Sequence, residues 1–139
     1  MYKHCRVLVT GAGSGVGQGI IKALRLSQLP LTVISADIAP MNAALYRADE
    51  AIIVPRVELA GALDEIVAIL RRNKIDVVML GSEFDLVFFS TNKALIESQT
   101  NSIIIAAPIE TVHIADDKWL TAEFLRKKRL PYAEAWPAN

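Results

Sequence analysis

Short apolar runs rich in β-branched residues alternate with longer segments of helical period along most of this sequence. The runs cover residues 6–10, 31–35, 51–54, 76–80 and 102–106. This alternation is typical of β-α-β units, in which parallel strands form one sheet that helices cover on both faces. We therefore predict an α/β fold, a three-layer α/β/α domain with a mainly parallel five-stranded sheet.

The segments between the runs carry apolar residues at the i, i+3, i+4 and i+7 spacing of one helix face. The stripes are Val16, Ile20, Ala23 and Leu24, then Leu59, Leu63, Ile66, Val67 and Leu70, and then Phe84, Val87, Phe88, Thr91 and Leu95. We expect each stripe to pack against the sheet.

The charge balance narrows the classes of partner. The chain has 139 residues, 53% of them hydrophobic, and its 15 Lys and Arg residues equal its 15 Asp and Glu residues. Zero net charge gives no overall field that would attract a polyanion, so neither nucleic acid nor a membrane surface is expected as a partner. No stretch approaches the roughly 18 consecutive apolar residues of a membrane span. A small molecule is the expected ligand, and homo-oligomer formation stays open.

Metal and disulfide chemistry are not expected either. Cys5 is the single cysteine, and the two histidines, His4 and His113, lie far apart in sequence. One cysteine cannot form an internal disulfide, which is typical of a reducing compartment, and no Cys/His cluster is present to hold a metal. We predict a cytoplasmic protein without a metal site.

A glycine-rich turn follows the first predicted strand and leads into the first predicted helix. The candidate residues in it are Gly11, Gly13, Ser14, Gly15 and Gly17. Glycines let the backbone approach a ligand closely, and the free N–H groups at a helix start attract phosphate or carboxylate. We therefore predict an anion-binding site at this turn. The alternative is that the glycines only permit a tight turn and close helix packing.

An acid at the end of the second predicted strand adds to this pattern. Asp37 follows Gly17 by 20 residues, and dinucleotide-binding folds place a ribose-binding acid there. The glycines also have the G-x-x-x-G-x-G spacing of short-chain dehydrogenases. An NAD(P)-binding domain that acts as an oxidoreductase or a sensor is therefore one reading. Asp37 can instead cap a turn or bind another ligand.

A short-chain dehydrogenase also needs a catalytic Tyr-x-x-x-Lys pair. Four positions after Tyr46 the chain has Glu50, and four positions after Tyr132 it has Trp136. Because the pair is absent, we predict that a nicotinamide dinucleotide is not the physiological ligand.

Polar residues follow the fourth predicted strand, at the sheet edge where open α/β sheets place their ligand crevice. Ser82 and Glu83 can begin the next helix as caps, or Glu83 can bind a substrate amine or hydroxyl. Lys118 is a further candidate, because in the first turn of a predicted helix a cation opposes the helix dipole. Its alternative is a solvated lysine paired with Asp116 or Asp117, which are both predicted to start that helix.

Taken in order, several short motifs resemble the N-terminal part of ATP-grasp ligases. They are Val7–Gly13, Ser35–Asp37, Tyr46–Asp49, Val54–Arg56, Lys74–Val77, Gly81–Glu83 and Asp116–Lys118. The resemblance spans Cys5 to Trp136 and is closest to the carbamoyl-phosphate-synthase-like members. It implies a Rossmann-like pre-ATP-grasp domain over residues 1–115 and the start of a truncated ATP-grasp domain over residues 116–139.

The resemblance also implies an activity. Such enzymes use ATP and Mg to activate a carboxylate as an acyl phosphate and transfer the acyl group to an amine, while the N-terminal domain helps to bind the non-nucleotide substrate. By position, Lys118 matches a residue that contacts ATP phosphates, and Gly11 to Gly17 and Glu83 match loops that face the substrate cleft. The family's Mg-binding acids and glycine-rich lid have no counterpart here. We therefore expect the sequence to be a fragment of a longer ligase that is inactive alone.

Overall fold

The computed structural model describes residues 3–136 and has a five-stranded, all-parallel sheet. The strands are β1 Cys5–Thr10, β2 Leu31–Asp37, β3 Glu50–Ile53, β4 Val77–Leu80 and β5 Ile103–Ile105. Their order across the sheet is β3-β2-β1-β4-β5, so β1 is central. The predicted five-stranded parallel sheet is confirmed.

The register places the predicted strand centres side by side. Leu8 in β1 pairs with Ile34 in β2 on one side and with Val78 in β4 on the other. Val78 in turn pairs with Ile104 in β5. The chain leaves β1 toward β2 and β3 and later returns to β4 on the opposite side of β1. The carboxyl ends of β1 and β4 therefore flank the point where the strand order reverses, and open α/β sheets have their ligand crevice at such a point.

Helices cover both faces of this sheet. They are α1 Gly15–Leu26, α2 Ala62–Arg72 and α3 Glu83–Gln99, with a short 3₁₀ helix at Ala43–Arg47. Alternate residues of β1 point to opposite faces, so Leu8 joins a buried cluster with Leu70 of α2 and Phe89 of α3. Val9 joins a second cluster with Ile21 of α1. These two cores confirm the three-layer architecture.

The predicted faces of α1 and α3 are partly wrong. Val16 is 63% exposed and Phe84 is 70% exposed, whereas Ile21, Phe89 and Ile96 are buried. Apolar residues occur on more than one side of α3, so their spacing alone does not define which side meets the sheet. The stripe of α2 is nearly right. Ile66, Val67 and Leu70 are buried there, Leu63 packs at the edge of the core, and Leu59 precedes the helix and is exposed.

The chain divides into two compact units after Ala106. The second unit contains α4 Ile109–Asp116 and α5 Lys118–Lys127. Asp117 caps α5 as predicted, because its Oδ1 accepts a hydrogen bond of 2.9 Å from the Leu120 N–H. Asp116, in contrast, is the last residue of α4 and does not start a helix. The functional boundary that we place between residues 115 and 116 stays a prediction.

Across residues 3–136, no helix is both long enough and apolar enough to cross a bilayer.

Candidate functional site

A cleft of about 530 Å³ opens at the carboxyl ends of the strands of the sheet. It is lined by Gly11, Gly13, Ser14, Asp37, Ile38, Asn42, Val54, Arg56, Val57, Glu58, Ser82, Phe84 and Asp85. These residues come from the segments that follow β1, β2, β3 and β4. The cleft therefore lies where the strand order predicts a ligand crevice.

Two glycines allow close packing around the glycine turn. Gly11 has a φ of +52°, and a Cβ atom there would lie 2.6 Å from the Cβ of Ser82. Gly17 is buried, and a Cβ atom on it would lie 2.9 Å from the Cα of Ala12. Gly15 has open space around it. The packing explanation therefore accounts for Gly11 and Gly17 and does not account for Gly15.

The Asp37 carboxylate is bound by its own neighbours. Its Oδ2 accepts hydrogen bonds from the Gly13 N–H at 2.8 Å and from the Asn42 side-chain amide at 2.9 Å. Its Oδ1 accepts one from the Ala39 N–H at 3.2 Å. Asn42 also accepts a bond of 2.9 Å from the Ala44 N–H, which begins the 3₁₀ helix. Asp37 thus fastens the glycine turn to the segment after β2.

Two serines of the cleft also make hydrogen bonds within the fold. The Ser14 hydroxyl accepts a bond of 2.8 Å from the Gly17 N–H and donates to the Gly81 carbonyl. Ser82 caps α3, because its hydroxyl accepts a bond of 3.3 Å from the Phe84 N–H. Ser14 therefore ties the start of α1 to the end of β4, and both serines act as helix caps.

The structure brings five of the predicted site residues together. Gly11, Gly13, Ser14, Asp37 and Ser82 all line the cleft, whereas Gly15, Gly17 and Glu83 are not among its lining residues. Lys118 is exposed in the first turn of α5, in the second unit. Ligand binding by these residues stays a prediction.

Three charged residues of the cleft were not among the site residues predicted from the sequence. Arg56 and Glu58 lie in the segment after β3, and Asp85 lies in the first turn of α3. Within residues 3–136 none of the three forms a salt bridge. The sequence does carry a signal for two of them, since Arg56 and Asp85 both follow the carboxyl ends of strands.

The environment of Asp85 raises the pKa of its carboxyl. Burial raises the pKa of the Asp85 carboxyl above its ordinary value of 3.8, and the Thr10 hydroxyl opposes this shift. The neighbouring carboxylates of Asp37 and Glu58 raise the pKa further, because like charges disfavour ionisation. Asp85 is therefore a partly buried acid whose pKa is raised by burial and by the neighbouring carboxylates.

Metal binding is a separate question from the charge of the cleft. In the described part of the chain, no three His, Cys, Asp or Glu side chains converge closely enough to hold a metal ion. Magnesium commonly takes only one or two protein carboxylates and shares phosphate oxygens for its other ligands, so this geometry supplies no protein-only cage for it.

Sequence comparison identifies the family. The model of the PylC-like N-terminal domain matches residues 7–104, which is most of the chain. The chain belongs to this family. The matched domain is the pre-ATP-grasp domain of ATP-grasp ligases. The resemblance to the N-terminal part of these ligases is therefore confirmed. No curated protein sequence matches the chain significantly.

Comparison with solved structures shows the same fold. Glycinamide-RNase-transformylase T from Mycobacterium tuberculosis is 20% identical with a TM-score of 0.66, and the match covers 94% of this chain and 38% of that one. The biotin carboxylase domain of a thermophilic 2-oxoglutarate carboxylase, bound to bicarbonate, is 18% identical with a TM-score of 0.61, over 91% of this chain and 28% of that one. Pyruvate carboxylase from Rhizobium etli is 18% identical with a TM-score of 0.63, over 96% of this chain and 14% of that one. The chain therefore spans well under half the length of these enzymes.

Proposed function

We propose that this chain is the N-terminal, substrate-binding part of an ATP-dependent carboxylate–amine ligase, and that it is carbamoyl-phosphate-synthase-like. The observation that carries the proposal is the cleft at the carboxyl edge of the sheet, in a chain whose residues 7–104 match the N-terminal domain of such ligases. The cleft is large enough for a small metabolite, since ligand pockets are commonly ~300–1,000 Å³. Its lining offers charged groups of both signs.

The proposed reaction has two steps. The terminal phosphoryl group of ATP passes to a carboxylate oxygen, which gives an acyl phosphate and ADP. The amine then attacks the acyl carbon, the bond to the phosphate oxygen breaks, and inorganic phosphate leaves as the amine loses a proton. Magnesium would shield the phosphate charges. The part of residues 3–136 is to bind and orient a substrate in the cleft.

Lys118 is proposed as a contact for ATP phosphates. Its ammonium group is exposed at the N-terminal end of α5, where it opposes the helix dipole and gains no local stabilisation. A biotin carboxylase domain of similar fold, from Hydrogenobacter thermophilus, binds MgADP and bicarbonate and is a dimer. These likenesses support the use of ATP and magnesium. Self-association and a cytoplasmic location stay predictions for this chain.

The hydrogen bonds of Asp37 count against a nicotinamide dinucleotide. A ribose would have to compete for a carboxylate that already accepts hydrogen bonds from Gly13, Ala39 and Asn42. The Asn42 side chain also lies directly against Gly13, over the turn where a pyrophosphate would sit. We therefore propose a different small molecule as the ligand.

The test compares ligand classes on the purified chain. Small carboxylates and amines are screened by thermal denaturation, and NADH and NADPH are titrated by fluorescence. A ligand at 100 times its Kd should stabilise the fold by about 2.7 kcal/mol. We expect a small carboxylate or amine to raise the melting temperature and the dinucleotides to have no effect. Micromolar NADH or NADPH binding would contradict the proposal and favour a dinucleotide-binding domain.

A further inference from the structure

Acidic side chains outnumber basic ones in the lining of the cleft. Three carboxylates and one guanidinium line it, namely those of Asp37, Glu58, Asp85 and Arg56. Asp37 is occupied by three hydrogen-bond donors, so its carboxylate is compensated within the fold. The Glu58 carboxylate has no such donor among residues 3–136, and the Asp85 carboxylate has only the Thr10 hydroxyl beside it. The carboxylates of the cleft can therefore bind a ligand group that is a hydrogen-bond donor or a cation.

Asp85 is the better placed of these two acids. Glu58 is exposed, and an exposed charge is screened by water and salt. Asp85 is partly buried at the boundary between the cleft and a second, enclosed cavity of about 20 Å³ beneath it. The rest of that cavity is lined mainly by apolar side chains such as Leu8, Leu70 and Phe89. A charge beside such a surface interacts more strongly with a partner than one in water does.

The Thr10 hydroxyl stands beside Asp85 and lowers the pKa of its carboxyl. Thr10 is 4% exposed, lines the second cavity together with Asp85, and its Oγ1 has no other hydrogen-bond partner among the described residues. Buried polar groups are nearly always paired, because an unmade hydrogen bond costs stability. Beyond their mutual contact, neither the Asp85 carboxylate nor the Thr10 hydroxyl has a hydrogen-bond partner among the described residues.

We propose that Asp85 binds a primary ammonium group of the ligand, and that the Thr10 hydroxyl behind it positions the carboxylate. This inference rests on the proposed function and assigns to this cleft the amine-bearing substrate of the ligase. A metal ion is the less suitable occupant, because no set of three ligands converges in the described residues. The single guanidinium of Arg56 is exposed and does not balance the acids.

The test uses three probes of matched size: butylamine, 1-butanol and butyrate. Each is titrated into the ¹⁵N-labelled chain at neutral pH, and the amide shifts of Gly11 and Gly13 are followed. We expect butylamine to bind best. Asp85→Asn should weaken its binding roughly ten- to hundred-fold, as expected for loss of a charged hydrogen bond. Asp64→Asn is the matched control, because it removes the same charge from an exposed site on α2.

Thr10→Val provides a second variant that keeps the carboxylate. The hydroxyl lowers the pKa of Asp85, so its loss should raise that pKa and move the acid limit of butylamine binding to higher pH. The other charged groups that face Asp85 in the cleft, Asp37, Glu58 and Arg56, are unchanged in this variant. An unshifted pH limit would contradict the positioning role of Thr10.

Three results would overturn the assignment of Asp85: equal butylamine binding by Asp85→Asn, stronger binding of butyrate than of butylamine, or no cleft shift with butylamine. Each of these leaves the ligase proposal standing, because that proposal fails on dinucleotide binding and not on the choice between amine and carboxylate.

Discussion

Replacing Gly17 by alanine should destabilise the fold, although the same change at Gly19 should stabilise it. Both glycines lie inside α1, where alanine is favoured over glycine by about 1 kcal/mol. A Cβ atom on Gly19 meets nothing within 4 Å, so that variant should gain ~0.5–1 kcal/mol. On Gly17 the Cβ atom would lie 2.9 Å from the Cα of Ala12 and overlap the Gly11 carbonyl oxygen.

The size of the Gly17 effect follows from what the new methyl group meets. Overpacking typically costs ~1–3 kcal/mol, and the upper end applies here because backbone atoms cannot rotate away as a side chain can. After the helix-propensity gain of about 1 kcal/mol is subtracted, we expect a net loss of about 2 kcal/mol.

Urea denaturation of the wild type and both variants at one temperature measures these differences. Because both substitutions are Gly→Ala in the same helix, the propensity terms nearly cancel, and the difference between the variants reports the contact of α1 with the glycine turn. If Gly17→Ala proves as stabilising as Gly19→Ala, then α1 does not pack on the glycine turn as described, and the packing role of Gly17 is refuted.

Three further perturbations test separate parts of the structure. Lys74 has a φ of +50°, so Lys74→Gly should stabilise the fold by roughly 1 kcal/mol in urea denaturation, while Arg72→Gly, inside α2, should destabilise it. The raised pKa of Asp85 means that the folded state binds its proton more tightly than the unfolded state, so stability falls as the pH rises from the ordinary value of 3.8 through the raised one. Asp85→Asn should therefore be more stable than the wild type at neutral pH but not at pH below 3.8, and thermal melts across this range that showed no crossover would contradict the burial of Asp85. In the proposed full-length ligase, Lys118→Ala should weaken ATP binding in calorimetry and leave the fold intact, whereas Lys127→Ala, in the last turn of α5, should leave ATP binding unchanged; equal effects would remove the special role of Lys118.

The sheet was predictable because its strands are short, apolar and bounded by glycine or proline. Val7, Leu8 and Val9 are buried whichever face each one meets, as expected for a central parallel strand. The face of α2 was also predictable, since Ile66 and Leu70 leave no competing stripe. The faces of α1 and α3 were not, because the backbone contact at Gly17 and the capping at Ser82 fix the rotation of these helices.

The candidate site was predictable in its location but not in its chemistry. Gly11, Asp37 and Ser82 follow three different strands, and a parallel sheet places all three at one edge. The hydrogen bonds of Asp37 depend on Asn42, which sequence spacing does not connect with the glycine turn. Asp85 was overlooked because its exposure to the cleft depends on the rotation of α3, which the apolar pattern of that helix left ambiguous.

The hydrogen bond from the Ser14 hydroxyl to the Gly81 carbonyl has a consequence for how this domain can diversify. It joins the start of α1 to the end of β4 and so constrains the Ser14 side of the cleft before any ligand arrives. A preorganised wall lowers the entropic cost of binding but accepts little change of ligand shape. The segment after β3 that carries Arg56 and Glu58, which also lines the cleft, has no equivalent side-chain hydrogen bond among the described residues. New ligand preferences should therefore arise first by substitution in that segment, with the Ser14 side of the cleft kept as a constant frame.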